Sequence, residues 1–318
     1  MIWAELAVTD DEVFQELRPE MFGLAYRIFG TVADAEDVLH DAYLRWRAEP
    51  RDDVRSARAF LATIVTRLCL DALTSARARR ESYMGEWLPE PLLGDGTSPA
   101  EVSELSDSLS LAFLVLLEEL TPAQRAAFLL HDVFGYGYGE LSVALTRGQA
   151  ACRQLVARAR KHLGNRGRRF DADPARARHL TERFLAACSG ADLGGLMEIL
   201  ADDVVVWTDG GGKAKAAPRP VAGASKAARF LVAIARNTPT GTEVRLVSLN
   251  GQPGLLAIYR GTAVSAVALE VTRGRVSAVR VVANPDKLTA VNVMLAQSRE
   301  RDSSPSAANI TATKEAFP

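Results

Sequence analysis

Residues 146–170 hold the side chains with the clearest chemistry in this sequence. The stretch from Thr146 to Phe170 has eight Lys and Arg residues and no Asp or Glu, whereas the whole chain has 38 basic against 39 acidic residues. Arg and Lys neutralise phosphates, and Gln and Arg reach base edges in the major groove of DNA. The same pattern also suits an ordinary solvent-facing helix, which is the alternative interpretation.

The elements that surround the basic stretch favour DNA binding. Thr121 and Gln124 have the spacing of a capping box, so a helix begins there and ends at the glycines of 135–139. A shorter helix follows over 138–145, and a tight turn leads to a third helix that ends near Leu163. Two helices joined by a tight turn in this order are typical of a helix-turn-helix.

The third helix has one apolar and one polar face. Its apolar residues recur at three- and four-residue spacing, which predicts a buried face. That face consists of Cys152, Leu155, Ala159 and Leu163. The opposite face consists of Gln149, Arg153 and Arg160. This is the arrangement of a helix that reads DNA with its outer side.

The composition is that of an ordinary globular protein. The chain has 318 residues, 48% hydrophobic and 24% charged, which is enough for two or three domains. Its three Cys and four His residues have no metal-ligand spacing, so we expect no metal and no cofactor. No apolar run is long enough to span a membrane and the start lacks a signal-peptide pattern, so we expect a cytoplasmic protein.

Residues 10 to 80 predict an all-helical domain, since they show no strand-like alternation. Thr31 can cap a helix that carries Asp34, Asp37 and Asp41 on one face. The other face is apolar, and an amphipathic helix with its polar side in water is the alternative to a binding helix. A second basic stripe adjoins the next helix. It comprises Arg51, Arg55 and Arg58 before that helix and Arg77, Arg79 and Arg80 at its end.

Residues 81–107 predict an extended linker, because their prolines and glycines exclude a long helix. From Glu81 to Leu145 there are eleven acidic residues against one basic residue, so this part is a poor DNA ligand on its own. Trp87 and Leu88 are unusual in a free linker. They predict either a short docking element or packing on their own domain.

From about Phe170 the pattern changes to that of an α+β domain. Two helices precede strand-like runs separated by glycine turns, with one more helix over roughly 225–235. Such a series predicts a curved antiparallel sheet wrapped over helices, which makes a cone with an interior pocket. We expect Trp207, Phe230 and Tyr259 to line this pocket, for which an apolar small molecule is a candidate ligand.

Two short motifs in this domain predict contacts rather than catalysis. DGGGK at 209–213 lacks the spacing and the Ser or Thr of a phosphate loop, so its glycines favour a tight loop with Asp209 and Lys213 pairing across a contact. NPDKL at 284–288 follows the last strand, where Asn-Pro predicts a turn that leaves Asp286 and Lys287 exposed to meet a partner.

Two segments resemble bacterial extracytoplasmic-function (ECF) sigma factors. AYRIFGTVADAEDVLHDAYLRW with RAFLATIVTRLCLDALTSARARR resembles their region two, and LTPAQRAAFLLHDVFGYGYGELSVALTRGQAACRQLVARARKHL resembles their region four. The resemblance implies a protein that binds core RNA polymerase through the β′ clamp and the β flap. It also implies recognition of the −10 and −35 promoter elements and initiation of transcription.

The resemblance assigns residues to each of these contacts. Core polymerase binding falls to Asp34, Asp37, Asp41, Leu44 and Trp46. The residues assigned to the −10 element are Arg55, Arg58, Thr66, Arg67 and Asp71, with Arg77, Arg79 and Arg80 on the DNA backbone. The residues assigned to the −35 element are Gln149, Arg153 and Gln154, with Arg147, Arg158, Arg160 and Lys161 on phosphates or at the rim. A cationic groove without a catalytic group suits the capture of an unpaired strand.

The last domain resembles the SnoaL-like, NTF2-like fold. Three motifs, WLPEP at 87–91, DGGGK at 209–213 and NPDKL at 284–288, resemble those of the ECF sigma factors to which such a domain is fused. The resemblance implies that the domain regulates the sigma core in cis, with no separate anti-sigma factor required. We predict an internal clamp in which WLPEP rests against DGGGK and NPDKL. Its members are Trp87, Leu88, Pro89, Glu90, Pro91, Asp209, Gly210, Gly211, Gly212, Lys213, Asn284, Pro285, Asp286, Lys287 and Leu288.

The complete prediction is a multidomain protein with two all-α sigma domains followed by an α+β cone. The predicted segments are 8–80 for region two, 81–107 for the linker, 108–168 for region four, 174–288 for the SnoaL-like domain and 289–318 for a largely disordered tail. Two alternatives stay open. One is a helix-turn-helix regulator whose cone senses a small ligand, and the other is a SnoaL-like enzyme fused to a DNA-binding module.

Overall fold

The structure, a computed structural model, describes residues 10–48, 56–81, 83–94, 109–164 and 174–303. The first helical domain has three long helices. They are α1 (Asp10–Phe29), α2 (Val32–Ala48) and α3 (Ala57–Glu81). The turn between α1 and α2 uses Gly30, whose φ of 71° favours glycine, and Thr31 donates a hydrogen bond to Asp34 in the first turn of α2.

The second helical domain contains the predicted helix-turn-helix. Its elements are α4 (Leu111–Glu118), α5 (Pro122–Phe128), a π-helical turn (Leu129–Val133), α6 (Tyr138–Ala144) and α7 (Gln149–Leu163). The predicted capping box is confirmed, since Thr121 and Gln124 each accept a backbone N–H of the other. The inward face of α7 differs by one position, because Val156 is buried where Leu155 is only half-buried.

The two helical domains share one hydrophobic core. Buried side chains from Phe14 in α1 to Leu163 in α7 form a single continuous cluster. α3 lies at its centre and contacts α1, α5 and α6. Burying apolar area between the domains stabilises this arrangement.

The third domain has the predicted α+β architecture. Its elements are α8 (Pro174–Ser189), α9 (Leu193–Ile199), β1 (Leu200–Asp209), β2 (Val221–Ala222), α10 (Ala224–Arg236), β3 (Glu243–Leu249), β4 (Gln252–Tyr259), β5 (Thr262–Thr272), β6 (Arg275–Val282), a 3₁₀ turn (Pro285–Leu288) and α11 (Thr289–Ser303). The six strands form one sheet in the order β2-β1-β6-β5-β4-β3. The sheet is mixed rather than wholly antiparallel, because β1 and β6 run parallel.

The sheet of the third domain is covered on both faces. One cluster of buried side chains, which includes Phe184 of α8 and Leu231 of α10, fills the space between these helices and the sheet. A smaller cluster lies on the other face around Leu256, Leu288 and Val291. Register shifts in three of the strand pairings are typical of bulges that curve a sheet into a cone.

The tail, which the sequence predicts to be largely disordered after a short helix at its start, begins with an ordered helix. α11 spans Thr289–Ser303, and its Val291 is buried against Leu288. Asn292 accepts a hydrogen bond from the Ala263 N–H at 2.7 Å, which ties the helix to the start of β5. These contacts explain why this half of the tail is helical, and residues 304–318 lie outside the described part of the chain. No helix in the described ranges is both long and apolar enough to cross a bilayer.

Candidate DNA interface and interdomain contact

A buried ion pair in the third domain holds the linker at Leu88. The Lys287 ammonium lies 2.7 Å from the Asp209 carboxylate, and both side chains are buried. Asp209 accepts the Leu88 N–H at 2.9 Å, and Lys287 donates to the Leu88 carbonyl oxygen. Two charged groups thus satisfy both main-chain polar groups of one linker residue. We call this contact the clamp.

Two further polar side chains complete the clamp. The Tyr83 hydroxyl donates to Asp209 at 2.5 Å and accepts from the Asn284 side-chain amide at 2.7 Å. Burial, and then the neighbouring Asp209 carboxylate, raise the pKa of Tyr83. Burial lowers the pKa of Lys287 to about 8 although Asp209 acts in the opposite direction. The site is therefore a desolvated network in which each charged group depends on its partner.

Trp87 of the linker lies between two cations and the first helical domain. The Arg80 guanidinium is 4.0 Å and the Lys287 ammonium 4.3 Å from its ring centroid, which are cation–π distances. Its ring also packs on Gly30 so closely that a β-carbon there would lie 2.7 Å from a ring atom. Gly30 is thus required twice, for its positive φ and for the space that Trp87 occupies.

Glu90 connects the linker to the turn between α1 and α2. Its N–H donates to the Gly30 carbonyl oxygen at 2.8 Å, and its carbonyl oxygen accepts from the Tyr26 hydroxyl at 2.5 Å. Its carboxylate accepts the Val32 N–H at 2.7 Å and so caps the N-terminus of α2. The WLPEP segment therefore touches the first helical domain through Glu90 and the third domain through Leu88.

α3 is bound to the helix-turn-helix by two arginines. Arg67 donates to the Val143 carbonyl oxygen at 2.6 Å, at the C-terminal end of α6, where a cation is favoured. Arg58 donates to the Phe134 carbonyl oxygen at 2.8 Å and lies 4.2 Å from the Tyr136 ring centroid. Both arginines therefore make contacts between the two helical domains.

Glu20 of α1 lies at the centre of this interface. Its carboxylate accepts from Arg58 Nε at 2.8 Å and from the Tyr136 hydroxyl at 2.9 Å. The hydrogen bond to Glu20 raises the pKa of Arg58. One carboxylate therefore links a helix of the first domain to a loop of the second.

The outer face of α7 remains open. The predicted −35 residues are all exposed to solvent in this arrangement. They are Arg147, Gln149, Arg153, Gln154, Arg158, Arg160 and Lys161. Arg160 differs from the others because it forms a two-bond ion pair with Asp132, at 2.6 and 2.8 Å. The basic face of α7 is therefore accessible to duplex DNA. By contrast, the face of α3 that carries Arg58 and Arg67 packs against the second helical domain.

Comparison with known proteins agrees with this architecture. Residues 13–79 match Sigma-70 region 2, and residues 110–163 match Sigma-70 region 4. The chain is 38% identical over 288 residues to the ECF RNA polymerase sigma factor SigJ of Mycobacterium tuberculosis, which covers 87% of this chain and 92% of that protein. It is 30% identical over 279 residues to the probable ECF RNA polymerase sigma factor SigI of the same species, covering 85% and 92%. The crystal structure of SigJ superimposes with a TM-score of 0.71 at 36% identity and covers 87% of this chain and 97% of that one.

The chain belongs to the ECF RNA polymerase sigma factors. Members of this family bind core RNA polymerase and promoter DNA to initiate transcription, and they are not enzymes. The first helical domain of this sigma factor contains region two, and the second contains region four.

Several predicted −10 residues of region two lie elsewhere than expected. Thr66 is fully buried, and its hydroxyl has no hydrogen-bond partner among the described residues. Arg80 pairs with Glu118 of region four, donates to the Phe29 carbonyl oxygen and stacks on Trp87. Neither side chain is placed for DNA contact in this arrangement, because Thr66 lies in the core and Arg80 is engaged by region four. Asp71 is exposed as expected.

Arg55 lies outside the described residues, as do the side chains of Arg77 and Arg79. Arg58 and Arg67 are described, but both are engaged with region four. In this arrangement region four therefore engages the two described arginines of the predicted −10 surface, while Asp71 stays exposed.

The predicted polymerase-binding helix is largely available. Asp37, Asp41 and Leu44 are exposed on α2, Leu44 to 53%, and Asp34 is half-buried beside Thr31. Trp46, which was expected to contact the polymerase, is not available on this surface, because it is 2% exposed and donates its indole N–H to the Asp10 carbonyl oxygen at 2.9 Å. It falls on the apolar side of α2 with Ala35, Val38, Leu39 and Ala42, which explains its burial.

The residues of the predicted internal clamp lie together, but their charged groups form other pairs than those predicted. Asp209 pairs with Lys287, and Lys213 instead pairs with Asp286 at 2.6 Å on the surface. Lys287, predicted to be exposed, is 6% exposed. The glycine loop is tight as expected, since Gly211 and Gly212 both have positive φ and a β-carbon on Gly212 would lie 2.9 Å from the Met84 sulfur of the linker.

A cavity of about 390 Å³ opens in the cone, but other residues than those predicted line it. Its lining includes Phe184, Leu231, Leu255, Ala257 and Val267. Trp207, Phe230 and Tyr259 are absent from the lining. Trp207 follows Val206, which faces the core between helices and sheet, so strand alternation turns Trp207 to the other face under Arg280.

Sequence reasoning missed Asn250 and Glu20, which both connect domains. Asn250 is 2% exposed and donates its side-chain amide to the Tyr26 hydroxyl at 2.8 Å. The Asn-Gly pair at 250–251 was a strong signal for a hairpin turn, but such a signal carries no information about what the turn contacts. Glu20 lies on a helix of ordinary composition and offered no signal of its own.

Proposed function

We propose that the third domain controls this sigma factor in cis by holding the linker between regions two and four. The observation that carries the proposal is the buried Asp209–Lys287 pair, which binds both main-chain polar groups of Leu88. A buried pair is strongly destabilised when one partner is lost, so the contact is either fully made or released. Such all-or-none behaviour suits a regulatory contact.

The proposed control acts on the spacing of the two DNA-binding domains. Region four must leave the α3 face before Arg58 and Arg67 are free to bind a promoter strand. A linker held at Leu88 and Glu90 limits how far region four can move from region two. The clamp therefore favours the compact, inactive arrangement, and its release favours promoter opening.

We propose the remaining contacts on the same basis. Core polymerase binds α2 at the β′ clamp through Asp34, Asp37, Asp41 and Leu44, and region four reaches the β flap. The −10 element is bound by Arg55, Arg58, Arg67 and Asp71, with Arg77 and Arg79 on the backbone. The −35 element is read by Gln149, Arg153 and Gln154, with phosphate contacts from Arg147, Arg158, Arg160 and Lys161. The promoter-bound protein acts where the polymerase is, in the cytoplasm.

Run-off transcription with purified core RNA polymerase tests the cis control. The full chain, a truncation that ends at Arg169 and the full-length Lys287→Met variant are compared on promoters from the same genome. We expect promoter-specific transcripts, with more product from the variant than from the full chain, and without any added anti-sigma protein. Equal output from the full chain and the Lys287→Met variant would contradict control by the clamp.

A second proposed function is ligand sensing by the cone. The observation that favours it is the cavity of about 390 Å³, whose lining is mainly apolar. A neutral apolar probe, N-phenyl-1-naphthylamine, is expected to fluoresce in the presence of the full chain and to lose that signal in Ala257→Phe, which fills the cavity. Equal fluorescence with both proteins would count against the cavity as a binding site.

A further inference from the structure

The linker has a second contact with the third domain, four residues beyond the clamp. Leu92 donates its N–H to the Asn250 side-chain oxygen at 2.9 Å and accepts the Asn250 N–H at 2.8 Å. Gly94 donates to the Ser248 carbonyl oxygen at 3.0 Å, and Leu93 pairs with Leu249 as an antiparallel bridge. The linker therefore pairs with the end of β3 through one antiparallel bridge.

β3 offers a free edge for this pairing. It is the last strand in the sheet order, so its outer main-chain groups have no strand partner within the sheet. Leu93 packs with the buried cluster that contains Leu249 and Leu288, which adds apolar contact to the main-chain hydrogen bonds. Pairing an extended peptide with an exposed sheet edge is a common way to bind a segment in register.

The amino-acid pattern of the linker matches this use. From Leu88 to Leu92 the chain has N–H groups only at 88, 90 and 92, because 89 and 91 are proline. Leu88 donates to Asp209, Glu90 to Gly30 and Leu92 to Asn250. Every N–H of this segment is thus bonded to a partner domain, and the prolines keep the segment extended between those partners.

Asn250 also reaches region two directly. Its side-chain amide donates to the buried Tyr26 hydroxyl, which in turn donates to the Glu90 carbonyl oxygen. Asn250 has a φ of 51° in the turn between β3 and β4, a conformation that Asn and Gly tolerate. One residue at this turn therefore joins the linker, region two and the third domain.

We infer that Asn250 and the β3 edge form a second anchor for the linker. This anchor is separate from the clamp, and its residues position the linker. The inference rests on the proposed cis control, which it deepens by assigning a second holding point. Separate anchors predict that each can be released while the other stays closed. Full release of the linker then requires both to open.

Hydrogen exchange at single amides of the full chain tests this inference. Asn250→Gly keeps the positive φ and removes the side chain, while Arg273→Gly makes the same change in the β5–β6 turn, also at positive φ, and serves as the matched control. We expect the Gly94 amide, whose acceptor Ser248 is retained, to exchange roughly tenfold faster in Asn250→Gly and at the wild-type rate in Arg273→Gly. The Leu88 amide should be unchanged in both.

Lys287→Met provides the reciprocal measurement. It should accelerate exchange at Leu88, which keeps Asp209 as acceptor, and leave Gly94 protected. If either variant accelerates Leu88 and Gly94 by the same factor, the two contacts are one cooperative unit and the inference is overturned. An unchanged Gly94 rate in Asn250→Gly also overturns it. Asn250→Asp, which removes the amide that donates to Tyr26, replaces Asn250→Gly if the glycine variant does not fold.

Run-off transcription separates this inference from the proposed function. If Asn250→Gly accelerates exchange at Gly94 and raises transcript yield, both stand. If it accelerates exchange and leaves the yield of both Asn250→Gly and Lys287→Met unchanged, the second anchor stands and cis control by the third domain fails.

Discussion

The Lys287 ammonium lies 2.7 Å from the Asp209 carboxylate at a place where three parts of the chain meet, the first helical domain, the linker and the third domain. Both groups are almost completely buried, at 6% and 0% exposure, and both bind Leu88 of the linker. A buried pair of this kind contributes specificity more than net stability, because desolvation of the two charges offsets much of their attraction. Its loss on one side is nevertheless costly.

Removing the cation of the clamp should release the linker around Leu88. Lys287→Met leaves Asp209 buried without its counter-charge, which we expect to cost about 3–5 kcal/mol. Limited proteolysis of the linker should therefore become faster by a factor of ten or more. The control is Lys213→Met, which removes an exposed pair with Asp286 and should change cleavage little. Similar cleavage of the two variants would argue against a holding role for the buried pair.

The clamp should become more stable as the pH rises through the range set by Lys287. Burial lowers its pKa from 10.5 to about 8, with Asp209 and Glu90 opposing and Arg80 adding to the shift. In an unfolded or open chain the ordinary pKa of 10.5 returns, so that state binds more protons between pH 8 and 10.5. Stability contributed by Lys287 therefore rises with pH over this window, by about 1.4 kcal/mol per unit, and is flat below pH 8.

Denaturant unfolding at pH 7.5, 8.5 and 9.5 measures this effect. Other titrating groups are common to the wild type and Lys287→Met, so the difference in their unfolding free energies isolates Lys287. We expect that difference to grow between pH 8.5 and 9.5. A difference that stays constant would mean that the pKa of Lys287 is close to its ordinary value in the folded protein.

Weakening the contact between regions two and four should let the two regions separate. Glu20→Gln keeps the size of the side chain but removes the charge that binds Arg58 and Tyr136. Hydrogen bonds to charged groups contribute about 1.5–3 kcal/mol, so the open population should rise roughly tenfold or more. Energy transfer between dyes at unnatural amino acids in place of Ala48 and Ala157 reports the separation.

The matched control for this experiment is Glu36→Gln. Glu36 pairs with Arg18 on the surface of region two, with both side chains about 40% exposed, so its charge should matter little. Lower transfer efficiency in Glu20→Gln alone, together with tighter binding of a single-stranded −10 probe, is the expected result. Equal efficiency in the two variants would mean that the interface is held by its apolar core.

The exposed face of α7 should read the −35 element. Arg153 is exposed, makes a long contact of 3.5 Å to Gln149 and lies 5.3 Å from the Tyr138 ring centroid, so no ion pair holds it away from a base among the described residues. Arg153→Ala should cost about 1–3 kcal/mol on the cognate duplex and relax its specificity, whereas Arg158→Ala should weaken all sequences and reduce the salt dependence. Arg178→Ala in the third domain is the control. If Arg153→Ala lost equal binding free energy on cognate and scrambled duplexes, Arg153 would contact phosphates rather than bases.

The sequence by itself determined the domain order, the helix-turn-helix and the three motifs that meet at the clamp. These features depend on local signals, such as the capping box at Thr121 and the concentration of Arg and Lys in α7, which operate within a few residues. The α+β class of the third domain followed equally from the alternation of strands and glycine turns. Periodicity also placed Gln149, Arg153 and Arg160 on the exposed face of α7, because a helix face is a local property.

Only the tertiary structure decided which charged groups are paired and which surfaces are covered. Local pattern treats Lys213 and Lys287 alike, yet the fold leaves one on the surface and buries the other against Asp209. Thr66 and Trp46 were assigned to partners by resemblance, but packing of α3 and α2 places them in the interior. Asn250 joins Tyr26 across 224 residues of chain, and contacts at such separation arise from the global packing of domains, which no local spacing records.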